Sequence, residues 1–189
     1  MKLRLLTGVT LIGVTQLGIL SPALAQPYIG ASLGQADYDQ EGVSNPNAFD
    51  LFGGFKFNDY VAVEAVYTDL GEADVRFVEQ SVYDYGGNSY VITESSQGDL
   101  SADSIGLVAK IILPVSEQLD LYARGGFHAW DAELKGLGES VSDDGTDLLL
   151  GFGISYTYGD KVGLGARYTR YDLDDDDVSL LTATFEFYF

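Results

Sequence analysis

The sequence predicts an all-β fold, an eight-stranded antiparallel up-and-down β-barrel that crosses a membrane. Three observations predict it: an export segment at the start, eight segments in which apolar and polar residues alternate, and connections that are alternately short and long. Alternation over about 9–11 residues is typical of a tilted strand that crosses a bilayer with one face toward lipid.

The first residues have the composition of a secretory signal peptide. Lys2 and Arg4 give a positive start, a largely apolar run follows, and residues 21–25 supply a break and a small-x-small cleavage motif. We therefore predict that residues 1–25 are removed. The remaining residues 26–189 have the length of one domain, which we expect outside the cytoplasm.

Composition excludes several classes of protein. The chain has no cysteine, which excludes disulfides, thiolate metal sites and a cysteine nucleophile. Its 23 glycines, 13 tyrosines and 10 phenylalanines, with only 4 prolines, favour strands and turns. Loss of the export segment leaves 8 basic and 29 acidic residues. Such a negative charge excludes nucleic acid as a partner, and no residue pattern calls for a cofactor or a resident metal.

Eight alternating segments account for the predicted wall. They are residues 28–36, 49–57, 61–68, 104–113, 119–130, 147–157, 162–171 and 179–189. A soluble sandwich would bury the apolar faces, but the opposite faces here are rich in glycine and hold isolated charges of both signs. That pattern is typical of a narrow barrel interior filled by paired charges, with the bulky residues toward lipid.

The inward-facing charges form the main candidate site. The residues concerned are Lys56, Glu64, Lys110, Arg124, Arg167 and Glu186. Two hypotheses follow from them. They form a structural plug, because the interior of an eight-stranded barrel is barely wide enough for side chains, or they form a switchable constriction in a narrow pore.

The connections differ between the two ends of the predicted barrel. Three are tight turns, at 58–60, 114–118 and 158–161, and four are long, at 37–48, 69–103, 131–147 and 171–178. The long connections hold 22 of the 29 acids. Outer-membrane barrels have long loops at the exterior, so we predict four long acidic extracellular loops and two periplasmic termini.

Three of these acidic stretches have additional interpretations. Around Gly86-Gly87 we predict a hairpin that extends the third and fourth segments beyond the membrane. Two interpretations of it stay open: it binds a partner along its edge, or it is a mobile loop hairpin with no partner. The runs 143–147 and 172–177 could bind divalent cations, but they lack the regular ligand spacing of a calcium loop. We therefore interpret both runs as solvated acidic loops, with cation bridges to lipopolysaccharide phosphates as the alternative.

Two stretches resemble a known family. Residues 53–61, continuing through Val63-Glu64, resemble the second hairpin of the OmpA transmembrane domain, and residues 110–115 and 119–126, ending at Trp130, resemble its central hairpin. The resemblance implies an eight-stranded outer-membrane barrel of the OmpA or opacity-protein type, also called porin family, in a Gram-negative bacterium. Because OmpA itself continues into a peptidoglycan-binding domain and this sequence stops, we expect no such domain here.

The same resemblance implies roles for the last strand. Its outward face, which ends on phenylalanine, resembles the signal that the outer-membrane assembly machinery recognises. The residues concerned are Leu181, Phe185, Phe187 and Phe189. The implied partners are outer-membrane lipids, lipopolysaccharide and that machinery, with a host, phage or other surface ligand at the loops, and the barrel is expected to be a monomer.

An interior gate is also part of the resemblance. In the family it combines a glutamate on strand three, a lysine on strand four, a glutamate on strand six and an arginine on strand seven. Glu64 and Lys110 match the first two, whereas Ser155 replaces the third and a glycine replaces the fourth. We expect Arg167, two residues further along, to pair with Glu64 or Glu186 instead.

The sequence thus predicts a non-enzymatic barrel with structural and surface-interaction roles. The alternative is a narrow gated pore for ions or very small solutes. A third hypothesis, an outer-membrane lipid or peptide hydrolase, would need His128, the only histidine. No serine or acid stands at a suggestive spacing from it, so we interpret His128 as a packed interior residue.

Overall fold

The computed structural model describes most of the chain after the export segment. The described residues are 25–38, 43–77, 82–85, 88–91, 96–136, 139–173 and 176–189. The predicted export segment lies outside these ranges except for Ala25. Within the described residues, no helix is long and apolar enough to cross a membrane.

Ten strands are present, and eight of them close into an antiparallel barrel. The strands are β1 (Gln26–Asp37), β2 (Asn47–Asn58), β3 (Val61–Phe77), β4 (Val82–Tyr85), β5 (Asn88–Val91), β6 (Ser96–Pro114), β7 (Leu119–Gly136), β8 (Glu139–Tyr158), β9 (Val162–Leu173) and β10 (Asp176–Tyr188). The barrel order is β1-β10-β9-β8-β7-β6-β3-β2, and β4 and β5 form a separate hairpin. The predicted fold class is confirmed, and so is a hairpin around Gly86-Gly87.

The barrel has one end with short turns, as predicted. Residues 59–60, 115–118 and 159–161 connect β2 to β3, β6 to β7 and β8 to β9. Gly159 and Asp160 have φ angles of 60° and 59°. Glycine adopts this left-handed conformation without steric cost, and aspartate tolerates it better than most residues.

The opposite end differs from the prediction of four long loops. β3, β6, β7 and β8 contain 17, 19, 18 and 20 residues, whereas β1, β2, β9 and β10 contain 12 or 13. Since about 9–11 residues cross the bilayer, the four long neighbouring strands continue beyond it as a sheet. We call this sheet, formed by residues 69–77, 96–103, 131–136 and 139–147, the projecting sheet. Much of the predicted loops 69–103 and 131–147 is therefore paired strand, and only residues 174–175 separate β9 from β10.

The wall has its apolar face outward. Leu33, Leu107, Phe127 and Phe152 are 63–71% exposed, although they are large and apolar. A soluble protein rarely exposes such a continuous apolar surface, whereas a lipid-facing barrel requires one. The alternating pattern therefore assigned the two faces correctly.

Glycines and aromatic residues are paired across neighbouring strands inside the barrel. The pairs in direct register are Gly30–Phe52, Gly54–Tyr28, Gly145–Trp130 and Gly153–Tyr122. In each pair the aromatic ring lies over the glycine: a Cβ atom on Gly145 would lie 2.7 Å from Trp130 Cζ2. The rings can lie flat across the narrow interior only because the residue beside each one has no side chain.

Candidate functional site inside the barrel

Inward alternation on six strands brings six charged side chains into the interior. They are Asp50, Glu64, Lys110, Arg124, Arg167 and Glu186, each at most 3% exposed. Five of these residues were predicted, and Asp50 was not. The three carboxylates and three cations balance in formal charge, which is what burial in a low-dielectric space requires.

Lys110 is the centre of the first group of charges. Its Nζ lies 3.0 Å from Glu186 Oε1 and 3.4 Å from Glu64 Oε1. Two tyrosine hydroxyls also donate hydrogen bonds to these carboxylates: Tyr28 donates to Glu64 at 2.8 Å, and Tyr188 donates to Glu186 at 2.6 Å. We call Lys110, Glu64 and Glu186 with these two tyrosines the Lys110 cluster.

Arg167 belongs to a second group. Its Nη1 lies 3.5 Å from Asp50 Oδ2, and its guanidinium group stacks 4.4 Å from the centre of the Phe52 ring. Asp50 also accepts hydrogen bonds from Ser32 at 2.6 Å and Thr68 at 2.8 Å. The prediction that Arg167 pairs with Glu64 or Glu186 was wrong, because Asp50 on β2 is its partner.

Tyr122 connects the two groups. The Nζ of Lys110 lies 4.1 Å from the centre of its ring, and its hydroxyl accepts a hydrogen bond from Arg167 Nε at 3.3 Å. Cation–π contacts of this kind are strongest where water is excluded. Tyr122 therefore contacts Lys110 through its ring and Arg167 through its hydroxyl.

Arg124 is buried but only loosely paired. Its Nη2 lies 3.7 Å from Glu64 Oε2, which is too long for a hydrogen bond. None of its three nitrogens has a hydrogen-bond partner. Ser155, which occupies the family's strand-six acid position, contributes a weak contact of 3.5 Å to Glu186 Oε2.

Lys56 lies apart from the other predicted charges. It is near the short-turn end and forms an ion pair of 3.8 Å with Asp59, whose side chain is 82% exposed. Among the described residues no ion pair joins it to the buried groups. Its inclusion in the interior network was therefore wrong.

His128 is packed inside the barrel. It is 1% exposed, its Nε2 lies 3.0 Å from the backbone oxygen of Asp172, and its ring meets Tyr171 edge-on at 5.2 Å. The nearby carboxylate of Asp147 accepts a hydrogen bond from Trp130 Nε1 at 2.7 Å. These contacts account for the histidine as a packed interior side chain.

The predicted assembly residues lie on the outside. Leu181, Phe185 and Phe189 are 63%, 48% and 63% exposed, and Phe187 packs edge-on against Phe189 with ring centres 5.4 Å apart. Their recognition by the assembly machinery stays a prediction.

The projecting sheet has a row of like charges on its outer face. Asp69, Asp103, Asp131 and Asp144 are direct cross-strand neighbours on β3, β6, β7 and β8. Neighbouring strands are about 4.8 Å apart, and like charges directly opposite are destabilising. No group of three or more acidic or histidine side chains among the described residues is arranged to hold a metal ion.

We expect Asp103→Asn to stabilise the barrel at low ionic strength, because it removes the repulsion from both neighbouring aspartates. The urea midpoint of unfolding should rise by a few tenths of a molar unit, and the gain should shrink as salt screens the charges. Asp160→Asn, in an exposed turn at the other end, is the control and should not shift the midpoint. A gain for Asp103→Asn that is independent of salt would contradict the explanation.

Comparisons with known proteins agree with this architecture. Residues 9–189 match the family model of the outer membrane protein beta-barrel domain. Outer membrane protein A of Salmonella typhi is 27% identical over 175 residues, which cover 83% of this chain and 45% of that protein. The corresponding protein of Escherichia coli O157:H7 is 27% identical over 173 residues, with the same coverage of each chain. The chain thus spans less than half the length of these relatives.

Solved structures show the same fold. Neisserial surface protein A has a TM-score of 0.59 at 17% identity, covering 87% of this chain and 97% of that one. The N-terminal β-barrel domain of Pseudomonas aeruginosa OprF has a TM-score of 0.58 at 12% identity, covering 87% and 99%. Ail, the attachment invasion locus protein of Yersinia pestis, has a TM-score of 0.55 at 21% identity, covering 87% and 97%. With a closed eight-stranded barrel, an apolar outer wall and a match along nearly all of its length, the chain belongs to the outer membrane protein beta-barrel domain family of Gram-negative bacteria.

Proposed function

We propose that this outer-membrane barrel holds the projecting sheet at the cell surface, where the free edge of β8 binds a basic, extended segment of another polypeptide. Both termini then lie in the periplasm, at the end with short turns. The unequal lengths of the strands carry the proposal, because they leave one long strand edge unpaired beyond the membrane.

The edge of β8 extends over ten residues. Pairing with β7 continues to Glu139, whereas pairing with β9 begins only at Leu149 opposite Tyr171. No described residue pairs with the other side of residues 139–148. An exposed edge of this kind presents backbone donors and acceptors to an added strand.

The opposite edge of the projecting sheet is covered. The backbone N–H of Ser44 donates to the oxygen of Asp74 at 3.0 Å, and Val43 forms a bridge with Val75. The segment before β2 therefore occupies the β3 edge. This contrast favours β8 as the edge for a partner.

Charge favours a basic partner. Residues 139–148 include four acids and no base, and one of these acids, Asp144, is the β8 member of the row of aspartates. Two copies of this edge would repel each other, so the acidity opposes self-pairing and aggregation. The same charge attracts a segment rich in lysine or arginine.

Ail offers a contrast. It has been solved in complex with the heparin analogue sucrose octasulfate, which is a polyanion. A surface row of aspartates does not suit such a ligand, so the proposed partner of this chain has the opposite charge.

In this proposal the charged interior is a structural plug that stabilises the barrel beneath the projecting sheet. We also propose that the barrel is not an enzyme. The Lys110 cluster and the Asp50–Arg167 pair place paired charges between the walls. His128 faces a backbone carbonyl rather than a hydroxyl nucleophile, which does not support a hydrolase.

A ten-residue peptide of alternating lysine and valine tests the proposal, with the glutamate–valine peptide as its counterpart. The lysine peptide should bind the refolded barrel in lipid nanodiscs, with an affinity that falls as salt rises, and the acidic peptide should not. Binding should also slow amide hydrogen exchange in residues 139–148, because an added strand occupies that edge.

A shortened variant provides the specificity control. Replacing residues 132–143 by Asn-Gly joins the paired residues Asp131 and Asp144 through a tight turn and removes the outer half of the edge, residues 139–143. This variant should lose at least tenfold in affinity. A matched variant that replaces residues 83–90 of the β4–β5 hairpin by Asn-Gly should bind normally. Equal binding by both variants, or slowed exchange only outside β8, would reject the proposal.

A further inference from the structure

The free edge of β8 begins where β9 stops pairing with it. The last pair between the two strands is Leu149–Tyr171. Beyond this pair, the backbone oxygen of Asp172 lies 3.0 Å from Nε2 of His128, a buried side chain of β7. Leu173, the next residue, is also buried. The end of β9 is therefore held against the interior of the barrel, and β8 continues toward the exterior without a neighbour on this side.

A strand added to this edge lies in line with β9. Residues 139–148 run toward the membrane, whereas β9, which is antiparallel to β8, runs away from it. An antiparallel partner therefore has the direction of β9 and extends the ladder that β9 forms with β8. The amino-terminal end of this partner lies beside Asp147, just beyond Tyr171. Because β9 occupies the same line on the membrane side, a longer chain has to turn away here, whereas a chain that starts here fits.

Carboxylates from three strands lie around this end of the edge. Asp147 is on β8, and Asp172 and Asp177 are directly opposite each other on β9 and β10. Partial burial and the carboxylates of Asp177 and Asp147 raise the pKa of Asp172 above its usual range. The guanidinium group of Arg170 bonds to Asp177 and lies 3.9 Å from the carboxylate of Asp172. One guanidinium group beside three carboxylates leaves negative charge for a further cation.

The parallel orientation is unfavourable at the same place. It brings the carboxyl end of the partner toward Asp147, Asp172 and Asp177, where like charges repel each other. A parallel ladder is also slightly less stable per residue than an antiparallel one. At the outer end of the edge, no described strand occupies the line of the partner, so the partner's chain can continue there.

We propose, resting on the strand addition at β8 proposed above, that β8 binds the amino-terminal segment of its partner in antiparallel orientation, with the free α-ammonium group among the carboxylates of Asp147, Asp172 and Asp177. Capture of a terminal amine by charge-assisted hydrogen bonds is a known mode of peptide recognition. The partner is thus a polypeptide whose basic, extended segment begins at its own first residue, rather than one that presents an internal loop.

Versions of the lysine–valine peptide, all amidated at the carboxyl end, test the role of the amino terminus. At pH 7 an α-amino group is mostly protonated. The peptide with a free amine should bind the barrel in nanodiscs about tenfold more tightly than the acetylated peptide, which lacks the charge-assisted hydrogen bonds. An acetylated peptide with one more lysine at its carboxyl end regains the net charge and should still bind weakly. A glycine–serine extension should weaken binding at the amino end but not at the carboxyl end.

A substitution in the barrel identifies the carboxylates. Asp172→Asn should weaken binding of the free-amine peptide several-fold and leave binding of the acetylated peptide unchanged. Asp74→Asn is the control, because it removes an exposed acid on β3, at the far side of the projecting sheet. It should change the affinities of both peptides by the same factor.

Disulfide formation reports the orientation, because the chain has no cysteine of its own. Directly opposite residues of paired strands are within disulfide distance. A peptide with cysteine at its second position should form a disulfide with the Thr146→Cys variant. A peptide with cysteine at its eighth position should form one with the Ser140→Cys variant, six residues nearer the outer end of the edge.

The outcomes separate this inference from the proposed function. Equal affinities of the free and acetylated peptides, with amide exchange still slowed in residues 139–148, would overturn the role of the amino terminus and leave the binding edge intact. The reverse pattern of disulfides would overturn the orientation in the same way. Unchanged exchange in residues 139–148 with every version of the peptide would reject the binding edge itself, and the inference with it.

Discussion

Replacing Lys110 by methionine is expected to lower the free energy of unfolding by about 3–5 kcal/mol, the usual cost of removing one partner from a buried ion pair. Lys110 is the cation shared by Glu64 and Glu186, at 3.4 and 3.0 Å. Its loss leaves two buried carboxylates with like charge and without their main partner. Urea titration of the refolded barrel, followed by the fluorescence of the single tryptophan, measures the change.

Two variants separate the charge effect from a packing effect. Combining Lys110→Met with Glu64→Gln and Glu186→Gln removes the carboxylate charges as well and should recover most of the loss. Lys56→Met breaks an exposed pair with Asp59 and should change the free energy of unfolding by less than about 1 kcal/mol. If the triple variant is as unstable as Lys110→Met alone, lost packing rather than uncompensated charge explains the effect.

The sequence predicted the faces of the strands better than the contacts between them. A period of two decides whether a side chain points inward, which is why Glu64, Lys110 and Arg124 were correctly placed inside. The partner of each charge depends on the tilt and stagger of strands that are distant in sequence. Arg167 therefore pairs with Asp50, a residue that the alternation places inward but for which it identifies no partner.

The extension of β3 and β6 beyond the membrane was predicted, but the extension of β7 and β8 was missed, for a different reason. Strands in lipid need one continuous apolar face, and this requirement produces the clear alternation within the membrane. Beyond the membrane both faces of β7 and β8 are free to be polar, as at Glu133 and Asp144. Such residues resemble a solvated loop, and only their cross-strand pairing shows that they continue the sheet.

Replacing Gly153 by valine is expected to destabilise the barrel by about 3 kcal/mol, at the upper end of the usual cost of overpacking. A Cβ at this position would lie 2.5 Å from Tyr122 Cζ and 2.6 Å from the backbone oxygen of Ala166. The tyrosine has to move, and it carries both the ring contact to Lys110 and the hydrogen bond from Arg167. The valine side chain is therefore expected to disturb both groups of interior charges.

Gly53→Val is the matched control for Gly153→Val, because Gly53 is also in a strand but faces outward. A Cβ there would meet Ile29 Cγ2 at an ordinary 3.7 Å, so the urea midpoint should hardly change. Adding Tyr122→Ala to Gly153→Val should restore only part of the stability, since the backbone of β9 still meets the new side chain and both cations lose their shared support. Equal losses for the two glycine substitutions would mean that a general effect of adding a side chain to the wall, rather than the interior ring, sets the cost, because strand propensity favours valine over glycine. A larger loss at Gly153 would show that glycine is required there because Tyr122 must lie across it to hold the interior charges in place.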